Sequence, residues 1–503
     1  MDFLVLSPPV CPPSEPPSGA FILAGALQGH GYETGFLDLS LSFYHSVLLS
    51  GGDTAGLKRA LRYLQNTFEY TPMEHRSAAG VINRHLKTFG ESRPGWRLTA
   101  MDLSAPAPIH DPNRIAALLA HDDPFIPLWE ETLLPVIRTH APKQILLSLA
   151  YLSQLTAAIS LSQFLRSQNL PFTVGGSLPR SLHATGEGYH LLSRFFPRLD
   201  VSNGASLLPE MTERAFLQQF AYPRVLSELA YLSGRPVLPF TLSTGCYWSG
   251  CLFCPDNEMK YIQLQMEGFQ RFAASIPPDV KQKKPIIHLL DSAMPKNRLR
   301  AFMPIARENQ LPFYGFARPE SRFLEDGFIE ALATSGCLML QLGVESGNDA
   351  LLQRYNKGIH PTVSAQVLQR AAAAGIRTYV YLLFGLPGET DAHREDTRRL
   401  IAENIDAVDF LNLSIFNLPK HCALSQRAEA FGIEIHQYDE NEDVIELYRP
   451  FREPHAEQSP RTASRTFISK RFTSDERIRQ AYLRTPKWFR AAHLAMMKLN
   501  DRN

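Results

Sequence analysis

The sequence has few cysteines, almost no net charge and no long apolar run. Six cysteines in 503 residues are too few for a disulfide framework and favour a reducing compartment. The formal net charge of +1 gives no overall electrostatic reason to expect a nucleic acid or a membrane surface as a partner. No apolar run approaches the roughly twenty residues that span a bilayer, and the N-terminus lacks the basic region of a signal peptide. We therefore expect a cytoplasmic protein that binds neither nucleic acid nor a membrane.

What the sequence does have is an alternation of strand-like and helix-like segments, which occurs in two stretches. In the first stretch, strands are predicted at 3–6, 34–39, 144–149 and 172–174, with helices at 19–28 and 153–167. Strands that alternate with helices are typical of a parallel sheet. Residues 45–140 interrupt this pattern with helical patches, which predict a helical insertion.

The second stretch contains six strand-like runs, at 237–243, 286–291, 312–317, 338–344, 377–384 and 408–416. Helical patterns lie between them at 262–276, 297–309, 324–335, 361–374 and 389–404. Six strands that alternate with helices predict a partial barrel, whose active-site residues lie at the carboxyl ends of the strands.

Three of the six cysteines, Cys246, Cys251 and Cys254, lie within nine residues directly after the first of these six runs. Iron–sulfur clusters are commonly held by four cysteine thiolates, so a loop with three predicts a cubane cluster whose fourth iron takes an external ligand. Structural zinc is the alternative, but it needs four closed ligands, and the fourth would come from Cys337, Cys422 or a histidine. Zinc loops also favour two cysteine pairs over one triplet.

The cysteine loop resembles the cluster loop of radical S-adenosylmethionine (SAM) enzymes. Four residues separate Cys246 from Cys251, one more than the commonest interval in that superfamily. Phe253 matches the aromatic residue that lies beside the adenine of SAM in the family. The resemblance implies a [4Fe-4S] cluster whose open iron binds the amino and carboxylate groups of SAM.

Polar residues follow the remaining strand-like runs and resemble the SAM-binding segments of radical SAM cores that come after a cobalamin-type domain. Taken singly, each is as well explained by a helix cap or a surface turn. Together they provide acceptors for hydroxyl and ammonium groups and a cation for a carboxylate. The resemblance implies that SAM is bound by Phe253, Asp291, Ser292, Arg318, Glu345, Ser346 and Pro387.

The first stretch resembles the cobalamin-binding domain found before many radical SAM cores. In doubly wound sheets, ligands bind beyond the carboxyl ends of the strands. The residues that match there, and that the resemblance assigns to cobalamin, are Pro8, Pro9, Gly175, Gly176 and Ser177. In some cobalamin proteins an Asp-x-His-x-x-Gly signature supplies a histidine that binds the cobalt. That signature is absent here, so cobalamin would bind without a protein histidine on cobalt. The alternative is a sheet that only shapes the active site.

These observations predict an α/β protein with four parts. A doubly wound, Rossmann-like, cobalamin-binding-like domain spans 1–215, with the helical insertion near 45–140, and a linker spans 216–236. A partial (βα)6 TIM barrel of the radical SAM type spans 237–418, and a small, mostly helical region spans 419–503. In that last region Cys422 is a candidate second functional thiol, with a buried hydrophobic role as the alternative. Residues 461–503 are rich in Arg and Lys and end in an amphipathic segment at 488–499, which predicts a solvated basic helix, with a contact for an acidic substrate or partner as the alternative.

The resemblance implies an enzyme that cleaves SAM reductively at the cluster to generate a 5′-deoxyadenosyl radical. Its main implication is cobalamin-dependent methylation of an unactivated centre in a small-molecule or peptide substrate, with flavodoxin or ferredoxin as electron donor. A cobalamin-independent radical SAM cyclase or rearrangement enzyme is one alternative. A non-catalytic zinc-binding α/β protein is the other. A methylthiotransferase is excluded because it needs a second cysteine trio, and only Cys11 precedes Cys246.

Overall fold

The computed structural model describes residues 1–50, 54–66, 71–185, 188–436 and 443–485 and contains two parallel sheets. The first sheet consists of β1 (Phe3–Ser7), β2 (Thr34–Asp38), β3 (Gln144–Ser148), β4 (Phe172–Gly175) and β5 (Arg224–Val225). The second consists of β6 (Val237–Phe240), β7 (Ile286–Leu289), β8 (Phe313–Ala317), β9 (Cys337–Glu345), β10 (Arg377–Phe384) and β11 (Phe410–Ile415). The basic segment predicted at 488–499 lies outside the described residues.

In the first sheet the strand order is β4-β3-β1-β2-β5, and every neighbouring pair is parallel. The direction of winding therefore reverses between β1 and β3, which creates a crevice beyond their carboxyl ends. The strands are apolar because both faces are covered: Phe3 and Val5 enter one hydrophobic core, and Leu4 and Leu6 enter another.

Helices surround this sheet, and most of the predicted insertion is helical. Their bounds are Ser18–Gly29, Leu39–Ser50, Ala55–Asn66, Pro72–Glu91, Pro112–Leu119, Ile126–Leu128, Leu134–His140, Leu155–Ser167, Ser177–Thr185, Tyr189–Phe195 and Glu213–Gln218, with a π-helical turn at Trp129–Leu133. Among the described residues, no helix is both long and apolar enough to cross a membrane.

The second sheet follows the chain in order, β6-β7-β8-β9-β10-β11, with all strands parallel. Within the described ranges β6 and β11 do not pair, so this sheet stays open. The α-helices of this half and of the C-terminal part are Met266–Ser275, Pro278–Gln282, Lys296–Glu308, Phe328–Thr334, Asp349–Arg354, Pro361–Ala373, Asp391–Glu403, Ala423–Gln426, Pro460–Lys470 and Glu476–Arg484.

The sequence pattern overestimated one helix of the second half, predicted at 262–276. The helix begins only at Met266, because Ile262–Gln263 instead forms a short antiparallel pair with Ser243–Thr244. This pair brackets the cysteine loop at both ends. The apolar Leu264 that follows this pair packs into the hydrophobic core instead of forming a first helical turn.

The two sheets share one hydrophobic core, and polar contacts also join the two halves. The helix that follows β1 packs towards the second sheet, with the rings of Phe21 and Phe272 6.5 Å apart. The proline-rich loop after β1 also reaches across, where the Glu15 carboxylate lies 2.9 Å from Nδ1 of His288 on β7 and accepts from the Tyr314 hydroxyl on β8 (3.5 Å). This loop therefore contacts two strands of the second sheet.

Candidate active site

The cysteine loop begins directly after β6 and the short Ser243–Thr244 strand. Cys251 is buried, with 7% of its surface exposed, whereas Cys246 and Cys254 are half-buried. All six cysteines of the chain lie in the described ranges, and none forms a disulfide. Burial raises the pKa of the Cys254 thiol to about 12. The loop thus keeps three reduced thiols at the carboxyl end of the first strand of the second sheet.

A second segment, 355–358, holds the cysteine loop in place. The indole N–H of Trp248 donates to the carbonyl of Asn356 (2.9 Å), and the Asn356 amide donates to the carbonyl of Gly250 (2.9 Å). The ring of Trp248 lies against Gly358, where an added Cβ would come within 2.1 Å of the indole. Segment 355–358 therefore supports the loop through backbone and ring contacts.

Arg318, at the end of β8, contacts the loop from the other side. Its Nε donates to the Glu320 carboxylate (2.6 Å), its Nη2 donates to the carbonyl of Lys357, and its Nη1 lies 3.7 Å from Sγ of Cys251. The guanidinium also stacks over the Trp248 ring at 4.6 Å. We predicted that this cation would hold the SAM carboxylate; the structure places it against a cysteine sulfur.

A second cation, Lys357, lies near the same thiols. Its ammonium donates to the Glu345 carboxylate (2.8 Å) and lies 5.8 Å from the centre of the Phe253 ring. Burial raises the pKa of Cys251, while the charges of Lys357 and Arg318 oppose that rise. Cations beside a thiol favour the thiolate, which is the form that binds metal.

Asp291 and Ser292, which end β7, point in different directions. The Asp291 carboxylate accepts hydrogen bonds from the backbone N–H of Leu242 (2.9 Å) and the hydroxyl of Ser243 (2.5 Å). Its burial raises its pKa to about 6. Asp291 therefore orders the backbone that leads into the cysteine loop. Ser292 faces a large cavity and donates to the carboxylate of Asp256 (3.0 Å).

The remaining residues assigned to SAM by the resemblance lie around the loop, and two of them contact other protein groups. Ser346 is buried, lies 3.2 Å from the Thr397 hydroxyl and accepts from the N–H of Asn348. The carbonyl of Pro387 accepts from the Tyr355 hydroxyl (2.5 Å). In this arrangement both residues hold the strand ends of the second sheet together.

The cavity has a volume of about 1040 Å³ and lies between the carboxyl ends of the two sheets. Its walls come from the first sheet, from the start and end of the cysteine loop, from the end of β7 and from the C-terminal part. These walls include Ala150, Tyr151, Ser177, Leu178 and Arg180; Thr244, Gly245, Pro255, Asp256 and Lys260; Leu290 and Ser292; and Lys420, His421, Glu446 and Tyr448.

Of the residues assigned to cobalamin, only Ser177 lines this cavity. Its hydroxyl donates to the carbonyl of Ala150 (2.8 Å) and joins the ends of β3 and β4. Pro8 and Pro9 are buried behind the wall, and the carbonyl of Pro8 accepts from the Gln154 amide (2.9 Å). Gly176 has φ of +116°, and a Cβ there would come within 2.4 Å of the Leu149 carbonyl oxygen. Pro8, Pro9 and Gly176 thus shape the crevice from behind.

The C-terminal part of the chain forms one wall of the cavity, next to the candidate thiol Cys422. Lys420 and Glu446 form a nearly buried ion pair there, with Nζ and Oε2 2.6 Å apart. Cys422 is fully buried, its thiol donating to the carbonyl of Pro419 (3.3 Å) in an apolar cluster. Neither strand periodicity nor a motif marks this segment, so only its proximity to the strand ends in the fold reveals it.

The donor set, three thiols on one loop, suits a cubane cluster, in which each thiolate binds a different iron. A structural zinc would need a fourth ligand beside these three. Within the described ranges, no three His, Cys, Asp or Glu side chains are placed to hold one metal ion. The hydroxyl of Thr244, in the cavity wall beside Cys246, is also buried without a hydrogen-bond partner in the described structure.

Comparison with known proteins defines the class. Residues 295–401 match the model of the radical SAM superfamily. This part of the chain therefore carries a radical SAM domain. No curated protein sequence matches the chain.

Solved structures define the fold along most of the chain. One is the radical SAM methyltransferase TsrM from Kitasatospora setae, solved with its tryptophan substrate and a SAM analogue. Its sequence is 14% identical to this one, and the alignment covers 87% of this chain and 79% of TsrM. The TM-score is 0.50. A second structure of TsrM, with cobalamin and a [4Fe-4S] cluster, is 15% identical over 93% of this chain and 85% of that one, with a TM-score of 0.51. At these identities the likeness shows that this chain shares its fold with TsrM.

Proposed function

We propose that this enzyme holds a [4Fe-4S] cluster on Cys246, Cys251 and Cys254 and uses it to cleave SAM. The observation that carries the proposal is the position of these thiols, on a loop whose two ends, at Thr244 and Gly245 and at Pro255 and Asp256, line the cavity between the two sheets. When bound, a cluster of this kind supplies the electron that breaks the sulfonium bond of SAM and generates a 5′-deoxyadenosyl radical. Flavodoxin or ferredoxin fits the role of electron donor.

We propose further that the crevice beyond β1, β3 and β4 holds cobalamin and that the enzyme methylates an unactivated centre of a small molecule or peptide. Cobalamin, when bound, supplies a methyl carrier. The volume of about 1040 Å³ lies at the upper end of the range of small-ligand pockets, roughly 300–1,000 Å³, and so suits a large cofactor. In this proposal residues 1–215 form the cobalamin-binding domain and 237–418 a partial TIM barrel.

In this scheme the chain's own residues fix the cysteine loop, place charge beside it and exclude water from the cavity. Asp291 and segment 355–358 fix the cysteine loop, and Arg318 and Lys357 place positive charge beside it. Apolar wall residues such as Leu178 and Leu290 keep water from the centre of the cavity. A dry site strengthens each electrostatic contact inside it, which is the protein's contribution to cofactor chemistry.

The proposal is tested by anaerobic purification with added cobalamin, followed by metal analysis and a SAM-cleavage assay with dithionite. We expect about four irons per chain and formation of 5′-deoxyadenosine. Cys251→Ala should lose both, whereas the matched control Cys337→Ala, which removes a buried thiol of β9 outside the loop, should retain both. One zinc and intact SAM would contradict the enzyme assignment. Iron without cobalt would retain radical chemistry and refute the cobalamin assignment.

A further inference from the structure

Arg318 is positioned to act on the cluster through a cysteine sulfur. Its guanidinium is 4% exposed and has its Nε, Nη1 and Nη2 directed at three different groups: the Glu320 carboxylate, Sγ of Cys251 and the Lys357 carbonyl. The Trp248 ring covers one face of it. Few rotamers satisfy all four contacts, so the Nη1–H is aimed at the sulfur before any cofactor binds.

We propose that Arg318 sets the reduction potential of the cluster by donating a hydrogen bond to the thiolate of Cys251. Reduction adds one negative charge to the cluster and its thiolates, and a cationic donor at a ligand sulfur stabilises that charge. Hydrogen bonds to sulfur and local net charge are among the features that set iron–sulfur potentials. The inference rests on the proposed function, because it requires the cluster on the three cysteines.

Glu320 limits the size of this effect and provides a test of its sign. Its carboxylate is nearly buried, pairs with Arg318 and Arg322, and accepts from the Tyr247 hydroxyl (2.9 Å). The negative charge of Glu320 opposes reduction, whereas the positive charge of Arg318 favours it. Neutralising Arg318 should therefore lower the reduction potential, and neutralising Glu320 should raise it. A variant that only loosened the loop would not produce two shifts of opposite sign.

The test is a potentiometric titration of the reconstituted cluster, followed by electron paramagnetic resonance of the reduced form. We expect R318M to lower the reduced-to-oxidised ratio at a fixed potential about tenfold, which is about 59 mV for a one-electron couple. We expect E320Q, in which the glutamine oxygen still accepts from Arg318, to raise the potential. The matched control is R322M, because Arg322 pairs with the same carboxylate but its side chain is 50% exposed to solvent. Its shift should be the smaller one.

The outcomes separate the inference from the proposed function. If the wild type takes up no iron, the proposed function fails and this inference fails with it. If the wild type holds a cluster and R318M has the same midpoint potential, or R322M shifts it equally, the inference alone is wrong. If R318M holds no cluster, E320Q decides: an upward shift supports the inference, and no shift or a downward one overturns it.

Discussion

Replacing Gly358 by alanine should loosen the cysteine loop while leaving the rest of the fold intact. Gly358 has φ of +69°, a conformation that costs an L-residue about 1–2 kcal/mol. Its new Cβ would also lie 2.1 Å from the Trp248 ring, which must move away. The displaced indole loses its hydrogen bond to Asn356, about 1 kcal/mol, and its stacking on Arg318, about 1 kcal/mol more.

Gly432 offers a matched control, because its φ is +68° and an added Cβ would meet no atom within 4 Å. G432A should therefore lose only the free energy of the strained backbone. G358A should lose about 2 kcal/mol more, which raises the population of the open cysteine loop about thirtyfold.

Hydrogen exchange of the apoprotein measures the opening, at amides such as Leu252, which donates to the Tyr355 carbonyl (3.0 Å). Iron content after anaerobic reconstitution measures its consequence. We expect faster exchange across the loop and less iron in G358A, with both unchanged in G432A. Equal exchange and equal iron in the two variants would refute the assignment of segment 355–358 as the support of the loop.

Three further changes test other parts of the structure. Burial raises the pKa of Glu389 to about 7 from 4.5. Protonation of this carboxyl therefore stabilises the folded state at low pH, and that contribution is lost as the pH rises through 7. Relative to E389Q, the wild type should lose roughly 2–3 kcal/mol of unfolding free energy between pH 5 and pH 8, measured by denaturant unfolding. C422A should lower the melting temperature by a few degrees through its small cavity, and leave SAM cleavage within about twofold of wild type. S177W should lower the cobalt content without changing the iron content, because it fills the crevice.

Each of these three predictions can be refuted by a specific result. A pH profile that is the same in E389Q and the wild type would show that the carboxyl is ionised throughout. Loss of SAM cleavage in a folded C422A would make that thiol functional. For the crevice, S193W is the control, since Ser193 is also exposed and bonded to a carbonyl but lies outside the cavity. Equal cobalt in S177W and S193W would place cobalamin elsewhere or exclude it.

The strands were predictable because their apolar runs are buried on both faces and therefore stand out from the helices between them. All six predicted strands of the second half pair in one sheet, and the cysteines follow the first, as predicted. Where periodicity was wrong, at 262–265, a short antiparallel pairing outweighed it. Local pattern carries no information on such a partner some twenty residues away.

The residue types at the site could be predicted from the sequence, but the contacts that their side chains make could be predicted less well. The strand ends supply the polar groups that the sequence indicated, yet Asp291 and Arg318 turn towards the loop backbone and a sulfur. Those directions depend on packing between strands 30 or more residues apart. The support of the loop by segment 355–358 and the wall formed by Lys420 and Glu446 depend in the same way on tertiary neighbours.

The contact between Glu15 and His288 bears on how this enzyme can be recombined with others. A chimera joined in the segment 216–236 would take the proline-rich loop from one parent and β7 from the other. Unless both parents supply this acid–histidine pair, the exchange leaves a carboxylate facing a foreign strand. Module swapping in this architecture should therefore transplant residues 10–17 together with the second sheet.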